Sequence, residues 1–284
     1  MAVKKFGGIP KKYDNLEKAK IVILPVPYDG TSTWIKGADK GPDAILEASA
    51  NMELYDIETD SEVFTKGIYT AKPVKENSSP EKMTEAVYKE SMQYVSDNKF
   101  LVTLGGEHSV SVGAIQAYSE TYENLTVLQF DAHSDMRPEY EGSRYNHACA
   151  MSRAVEMCPI VQVGIRSMDV EEKKYINPDR IFYAEKRIND PDWMNKAVNL
   201  LTENVYITID LDAFDPSIMP STGTPEPGGL YWNEVLELIR KVNNKCTIVG
   251  FDVVELCPND INKASDFLAS KLIYKILSYK FNKK

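Results

Sequence analysis

The sequence predicts an α/β fold in which a doubly wound, mostly parallel sheet is covered by helices on both faces. Short apolar runs alternate with longer segments of helical period along the 284 residues, an order typical of such sheets. The runs IVILPV at 21–26 and TIVGF at 247–251 lack alternating polar residues, as buried parallel strands do. Because no repeat, low-complexity tract or Gly/Ser linker divides the chain, we predict a single domain over residues 1–284.

The predicted strands are the short apolar runs at residues 21–26, 100–104, 126–130, 160–163, 181–183, 205–209 and 247–251. The predicted helices are the intervening segments of helical period at residues 42–50, 80–97, 110–121, 147–156, 169–176, 191–203, 231–243 and 263–279. Two long loops, 131–146 and 212–230, each follow a predicted strand directly. Ligands bind beyond the carboxyl ends of parallel strands, so we expect functional residues in these loops.

Composition and charge exclude several classes of protein. The 33 Lys and Arg residues against 42 Asp and Glu give a net charge of −9, which disfavours nucleic acid as a partner and favours a small cationic ligand. No uncharged apolar stretch of about 18 residues occurs, and no apolar segment follows the basic N-terminus, so we expect a cytoplasmic protein without membrane attachment. The spacing of the 4 cysteines fits neither a metal-binding pair nor a disulfide framework, and predicts free thiols.

The chain has only 3 histidines, and each follows a predicted strand or lies in its loop. His108, in GGEHSV, comes just after the second predicted strand, and His133, in FDAHSD, just after the third. Asp131, His133 and Asp135 are spaced i, i+2, i+4, so in an extended segment their side chains lie on one face. For this motif alone, a loop with acidic caps is an equally good interpretation.

A second acidic motif ends the strand predicted over 205–209. Asp210 and Asp212 lie in ITIDLDAFDP, which repeats the i, i+2 spacing. Carboxylates crowded at one sheet edge repel one another unless cations compensate them, so the joint occurrence of these motifs predicts a pair of metal ions. Imidazole and carboxylate ligands without thiolate suit Mn²⁺, while Zn²⁺, Fe²⁺, Co²⁺ and Ni²⁺ stay open as alternatives.

Four segments resemble the ureohydrolase family of arginases and agmatinases: GGEHSV at 105–110, FDAHSDMRPEYEG at 130–142, TIDLDAFDPSIMPSTGTPEPGG at 208–229 and GFDVVELCP at 250–258. Weaker matches at 26–45 and 163–167 extend the resemblance over nearly the whole chain. The resemblance implies an arginase-like form of the predicted fold and two Mn²⁺ ions per subunit. It also implies the ligands of these ions, with His108 and Asp135 on one, His133 and Asp212 on the other, and Asp131 and Asp210 on both.

The same resemblance implies a hydrolase that converts a guanidino group into an amine and urea. Two divalent ions about 3.5–4 Å apart can share one water and lower its pKa, so that hydroxide attacks the guanidinium carbon. Glu255 matches the family glutamate that pairs with guanidinium N–H groups, and His147 resembles the histidine that carries protons to the departing amine. A loop cap for Glu255 and a helix-start histidine bonded to backbone for His147 are the alternative interpretations.

The loop MRPEYEGSRYNH at 136–147 resembles that of agmatinases more than that of arginases, and predicts hydrolysis of agmatine to putrescine and urea, a step of polyamine biosynthesis. We expect Glu139 and Glu141 to face the distal ammonium group, with a solvated surface position as the alternative. Asn146 stands where the family pattern has serine. By resemblance the protein is a homo-oligomer, trimeric or hexameric. Guanidinobutyrase, guanidinopropionase, arginase, aminopropylagmatine hydrolase and a catalytically silent metal-binding member stay open.

Overall fold

The computed structural model describes residues 4–282, and a parallel sheet of eight strands forms its centre. The strands are β1 Ile21–Val26, β2 Ile68–Thr70, β3 Phe100–Gly105, β4 Leu125–Phe130, β5 Ile160–Ile165, β6 Ile181–Tyr183, β7 Asn204–Asp210 and β8 Thr247–Val254. Their order across the sheet is β2-β1-β3-β8-β7-β4-β5-β6, and each neighbouring pair is parallel. The predicted fold class is therefore confirmed. The single domain over 1–284 stays a prediction, and its first three and last two residues lie outside the described range.

Helices cover both faces of this sheet. They are α1 Gly41–Ser49, α2 Pro80–Ser96, α3 Ser111–Thr121, α4 Ala150–Ala154, α5 Trp193–Asn199, α6 Trp232–Lys245 and α7 Ala264–Phe281. The apolar core on one face includes residues of α1, α5, α6 and α7, and the core on the other includes residues of α2, α3 and α4. Among residues 4–282, none of the helices combines the length and apolarity that crossing a bilayer requires.

The central strands are buried on both sides, which explains why they show no polar alternation. Every residue of β1, β3, β4 and β5 is buried. In β1, Ile23 belongs to the core shared with α1 and α7, whereas its neighbour Val22 belongs to the core shared with α2 and α3. Successive side chains of a strand point to opposite faces, so each strand contributes to both cores at once.

Four elements differ from the sequence prediction. The short edge strand β2 was not predicted, because three residues are too few to show a periodic pattern. The helix predicted over 169–176 is a 3-10 helix over Val170–Lys174, and the one predicted over 191–203 is limited to α5. The predicted segment 147–156 begins with a 3-10 turn over His147–Cys149 and continues as α4.

A buried lysine of α7 joins this helix to the loop after α1. Lys275 is 7% exposed, and its Nζ lies 3.0 Å from Asp56 and 2.6 Å from Glu58. Glu58 also accepts hydrogen bonds from Tyr279 and Arg240. Although burial raises the pKa of Glu58, these bonds outweigh it and lower the pKa to about 2. The stabilisation from this carboxylate is therefore complete above its usual pKa and is lost as the pH falls toward 2.

We expect Lys275→Met to lower the free energy of unfolding by about 3 kcal/mol, because it leaves the buried Asp56 carboxylate without its cation. The measurement is urea denaturation at neutral pH. Lys89→Met is the matched control, since Lys89 pairs with Glu85 on the exposed face of α2 and is expected to cost at most about 0.5 kcal/mol. Equal losses in both variants would contradict the assigned role of Lys275.

Candidate metal centre and active site

The four neighbouring strands β3, β8, β7 and β4 end at one edge of the sheet, and a cavity of about 440 Å³ lies there. Residues from the segments after these strands line the cavity, as expected for an open α/β sheet. The lining includes seven of the predicted site residues, namely His108, His133, Asp135, His147, Asp210, Asp212 and Glu255. Asp131 is 0% exposed and lies among them.

Carboxylates surround the His108 side chain. Its Nδ1 lies 2.9 Å from Asp135, 3.0 Å from Asp131 and 3.5 Å from Asp210. The ligand atoms of His108, Asp131 and Asp135 all lie within 4.8 Å of one another, so they could hold one metal ion. Asp135 has a left-handed backbone, with φ at 51°, which ends the extended segment after β4.

A second group of ligand atoms surrounds His133. Its Nδ1 lies 2.9 Å from Asp212 and 3.6 Å from Asp131, and the ligand atoms of these three residues also lie within 4.8 Å of one another. Asp131 therefore belongs to both groups, with one carboxylate oxygen toward each histidine. This is the geometry that a bridging carboxylate requires. Asp210 approaches the His108 group, and its bridging role stays a prediction.

The hydrogen bonds of His108 leave the correct nitrogen available for a metal ion. Its Nε2 lies 2.9 Å from the Thr208 hydroxyl, which donates its own hydrogen to Asp252 at 2.7 Å. Nε2 must then carry a hydrogen, so Nδ1 is the ring nitrogen that can bind a metal ion. Within residues 4–282 this buried Nδ1 has no hydrogen-bond partner, although three carboxylates face it. An orphaned imidazole nitrogen among carboxylates fits a divalent cation.

Backbone N–H groups fix the carboxylates before any ion binds. Asp131 accepts from the His133 N–H at 2.6 Å and from the Gln129 side chain at 2.7 Å. Asp212 accepts from the Ala132 N–H at 3.0 Å, and its other oxygen faces His133. Asp210 accepts from the Asp212 N–H at 2.8 Å. The local chain turns after β4 and β7 thus preorganise the ligand set.

The electrostatics of this cluster also favour the binding of cations. Burial, and next the charge of Asp212, raises the pKa of Asp210 well above its usual value. Burial and then Asp131 raise the pKa of Asp135 to about 7. Burial lowers the pKa of His108, but Asp131 and Asp135 outweigh it and raise the pKa well above its usual value. Bound divalent cations would replace the protons that this cluster otherwise retains.

Glu255 enters the cavity from the end of β8. Its backbone is left-handed, with φ at 64°, an uncommon conformation for glutamate that functional sites often retain. The Glu255 N–H donates to Gly106 O, and its carboxylate accepts from the His108 N–H, each at 2.7 Å. Burial, and next the charge of Glu107, raises the pKa of Glu255 well above its usual value. A cationic substrate would compensate the charge of this half-buried carboxylate.

His147 lines the same cavity at the start of a 3-10 turn. Its Nδ1 and its backbone N–H each lie 3.0 Å from the hydroxyl oxygen of Thr31. Burial, and next the charges of His133 and His108, lowers the pKa of His147 to about 4. The imidazole is therefore neutral at pH 7, so it can accept a proton there and pass it on.

The structure does not bring Glu139 and Glu141 to the cavity, which corrects the expectation drawn from the loop pattern. Both are exposed, because the chain turns back between Tyr140 and Ser143 and Glu141 has a left-handed backbone. Tyr140 is the residue of this turn that lines the cavity, and the guanidinium of Arg137 lies 4.6 Å from the centre of its ring.

The further acidic residues that line the cavity come from other segments. They are Asp169, Glu172 and Glu226.

Asn146 is buried at 1% exposure, and its side chain caps the following turn by accepting from the Ala148 N–H. Asn146 therefore stabilises the turn that begins at His147.

The sequence pattern also missed the segment 29–37, in which residues 32–35 line one wall of the cavity. Its Trp34 lines the cavity although its side chain is 69% exposed overall. Asp29 fixes this segment by accepting from the Gly37 N–H at 2.6 Å and the Ala38 N–H at 3.2 Å. The signal was the weaker family match at 26–45, which contains few of the side chains that mark a catalytic motif.

The parallel sheet and the two ligand groups that share Asp131 define a metalloenzyme with a candidate two-metal centre. The chain also matches the model of the arginase family over residues 19–278. It is 39% identical to the N(1)-aminopropylagmatine ureohydrolase of Synechocystis, covering 97% of this chain and 95% of that protein. It is 33% identical to the agmatinase of Pyrococcus horikoshii, covering 93% of each.

A solved structure supports the same assignment. The crystal structure of agmatine ureohydrolase from Thermoplasma volcanium has a TM-score of 0.89 and 30% identity, covering 99% of this chain and 96% of that one. The chain belongs to the arginase family. The resemblance inferred from the four sequence segments is thereby confirmed, as is the ureohydrolase class of enzyme.

Proposed function

We propose that the protein hydrolyses the guanidino group of agmatine to yield putrescine and urea. The observation that carries this proposal is a single cavity in which Glu255 lies beside two candidate metal-ligand groups that share Asp131. A guanidinium ion presents a planar set of N–H donors, which a carboxylate accepts well. Relatives named agmatinase and N(1)-aminopropylagmatine ureohydrolase support this class of substrate.

In this proposal the chain's own residues orient the substrate and move a proton. Glu255 holds the guanidinium N–H groups, which directs the carbon toward the ligand cluster. His147 gives a proton to the nitrogen that departs as an amine. A bound pair of divalent cations supplies a water molecule of lowered pKa as the nucleophile.

We propose Mn²⁺ as the metal, with two ions per subunit. Each ligand group combines one histidine with two aspartates, and neither contains a cysteine thiolate. Nitrogen and carboxylate oxygen ligands without sulfur suit Mn²⁺ better than the softer ions.

The cytoplasmic location and the trimeric or hexameric assembly stay proposals that rest on composition and family resemblance.

A second candidate substrate is N1-aminopropylagmatine. It is the substrate named for the relative that is 39% identical, and it carries a further cationic amine beyond the agmatine chain. Asp169 and Glu226, on the wall of the cavity, supply negative charge for such an amine. A substrate carboxylate would be repelled by the same two residues.

Urea release from agmatine, N1-aminopropylagmatine, 4-guanidinobutyrate and arginine tests this function. With Mn²⁺-loaded protein, we expect kcat/KM for one of the two amine-terminated compounds to exceed that for both carboxylates by at least about tenfold. Preference for arginine would contradict the proposed substrate class. Protein with two bound ions that releases no urea from any of the four would instead support the catalytically silent alternative.

His147→Asn is expected to lower kcat by about 10²-fold, because the variant cannot deliver a proton to the leaving amine. Bound metal should stay at the wild-type level, since His147 lies in neither ligand group. Steady-state urea release and elemental analysis of the same sample provide both values. A loss of metal would make His147 a ligand and contradict its assigned role.

A further inference from the structure

Glu107 is a buried carboxylate beside the candidate metal centre that belongs to neither ligand group. It is 0% exposed and lies directly before His108 in the chain. One of its oxygens accepts from the hydroxyls of Thr31 and Ser109, each at 2.6 Å. The other accepts from the N–H groups of Thr31 at 2.5 Å and Ser32 at 2.9 Å.

The four donors around Glu107 determine which partner donates and which accepts in its hydrogen bonds. Each carboxylate oxygen accepts two hydrogen bonds, so no lone pair is left for a carboxyl proton. The saturated geometry makes Glu107 the acceptor and the Thr31 hydroxyl the donor.

The direction of the hydrogen bond from Thr31 to Glu107 determines the direction of the bond between Thr31 and His147. The Thr31 hydroxyl has one hydrogen, and it goes to Glu107. Its oxygen can then only accept from His147, whose backbone N–H and ring Nδ1 each lie 3.0 Å away. The ring nitrogen must therefore carry a hydrogen, and Nε2 is left as the unprotonated nitrogen of the neutral imidazole.

We infer that Thr31 and Glu107 are positioning residues that hold His147 in the Nδ1–H tautomer. This inference rests on the proposed proton-transfer role of His147 and adds the residues that prepare it. With Nδ1 bonded to Thr31, only Nε2 can take up a proton and release it during turnover. A general acid or base contributes most when its tautomer and orientation are already correct.

Different groups of Thr31 position the His147 ring and anchor the segment 29–37, so the two roles can be tested separately. The backbone N–H groups of Thr31 and Ser32 already bind Glu107, and Thr31→Val retains both of these bonds. Valine also matches threonine in shape and lacks only the hydroxyl. Thr31→Ser retains the hydroxyl, so the two variants differ in the group that bonds to His147.

We expect Thr31→Val to lower kcat by at least about tenfold with unchanged metal content, and Thr31→Ser to lose less than about threefold. Adding Thr31→Val to His147→Asn should have no further effect, because Thr31 acts through that imidazole. Thr121→Val, on α3, is the matched control and should retain full activity, since its hydroxyl bonds to Ala117 O and the Met92 sulfur, neither of which lines the cavity. Additive losses in the double variant would overturn the inference.

Nitrogen NMR of the histidine rings tests the tautomer without any turnover. Zn²⁺-loaded protein suits this measurement because Zn²⁺ is diamagnetic, and the chain has only 3 histidines to assign. The ring whose signals are missing from the spectrum of His147→Asn is that of His147. In the wild type we expect this ring to be the Nδ1–H tautomer, and in Thr31→Val we expect a mixture of the two tautomers. An Nε2–H ring in the wild type would overturn the inference, even if agmatine is hydrolysed. Full activity of His147→Asn would instead overturn the proposed role of His147 itself.

Discussion

Asp131→Asn should abolish urea release, with kcat lowered by about 10³-fold or more, and should reduce bound metal from two ions to one or none. Asp131 is the one residue present in both ligand groups, with an oxygen toward each histidine. Asparagine is the same size, but it replaces one of these oxygens with an amide NH₂ that cannot bind a cation. Activity assays and elemental analysis on one preparation measure both effects.

The control for this variant is Asp43→Asn, which changes an exposed aspartate in the first turn of α1. It should leave both the metal content and the activity at wild-type levels. If Asp131→Asn kept two ions and normal turnover, the shared carboxylate would have no role in the centre. That result would remove the basis of the proposed reaction.

Glu255→Gln should lower kcat/KM for the preferred guanidino substrate by about 10²–10³-fold while both ions stay bound. The glutamine side-chain oxygen can still accept from the His108 N–H, so the local backbone should keep its position. The substitution removes the negative charge that would attract and orient the guanidinium ion. Steady-state kinetics over a range of substrate concentrations separate the effects on KM and kcat.

Glu237→Gln, at a half-exposed position of α6, is the matched control and should behave like the wild type. A Glu255→Gln variant with unchanged kcat/KM would show that the carboxylate acts only as a loop cap. A variant that had lost metal would show that Glu255 supports the ligands rather than the substrate. Either outcome would require a different substrate-binding residue.

The residues around His108 and His133 could be predicted for two reasons. Their motifs lie at the ends of recognisable strands, and their residue types are those that bind metal ions. Asp131, His133 and Asp135 follow the fully buried strand β4, whereas Asp210 ends β7 and Asp212 follows it. Parallel strands meet with their carboxyl ends at one edge, so residues distant in the chain were expected to converge. The left-handed backbone at Asp135 could not be predicted from that pattern, since it depends on packing against the helix that follows.

The outer part of the cavity could not be predicted from residue type. Acidic residues in a loop were expected to face the substrate, but the turn at Tyr140 directs Glu139 and Glu141 to solvent. Conversely, Thr31 looks like an ordinary loop threonine, and the role inferred for it rests on its distances to Glu107 and His147. Loop direction is set by tertiary contacts, which a single sequence does not encode in any local pattern.

The strand order has a consequence for how activity appears during folding. The cavity takes side chains from segments near residues 31, 108, 147, 212 and 255, which the crossovers between strands bring together. Contacts between such distant segments form late, after the intervening loops have closed. No N-terminal fragment that ends before β8 can contain Glu255, so from the role proposed for Glu255 we expect a nascent chain to stay inert until its last strand is inserted. Recovery of turnover after dilution from denaturant should therefore lag behind the return of helical circular dichroism.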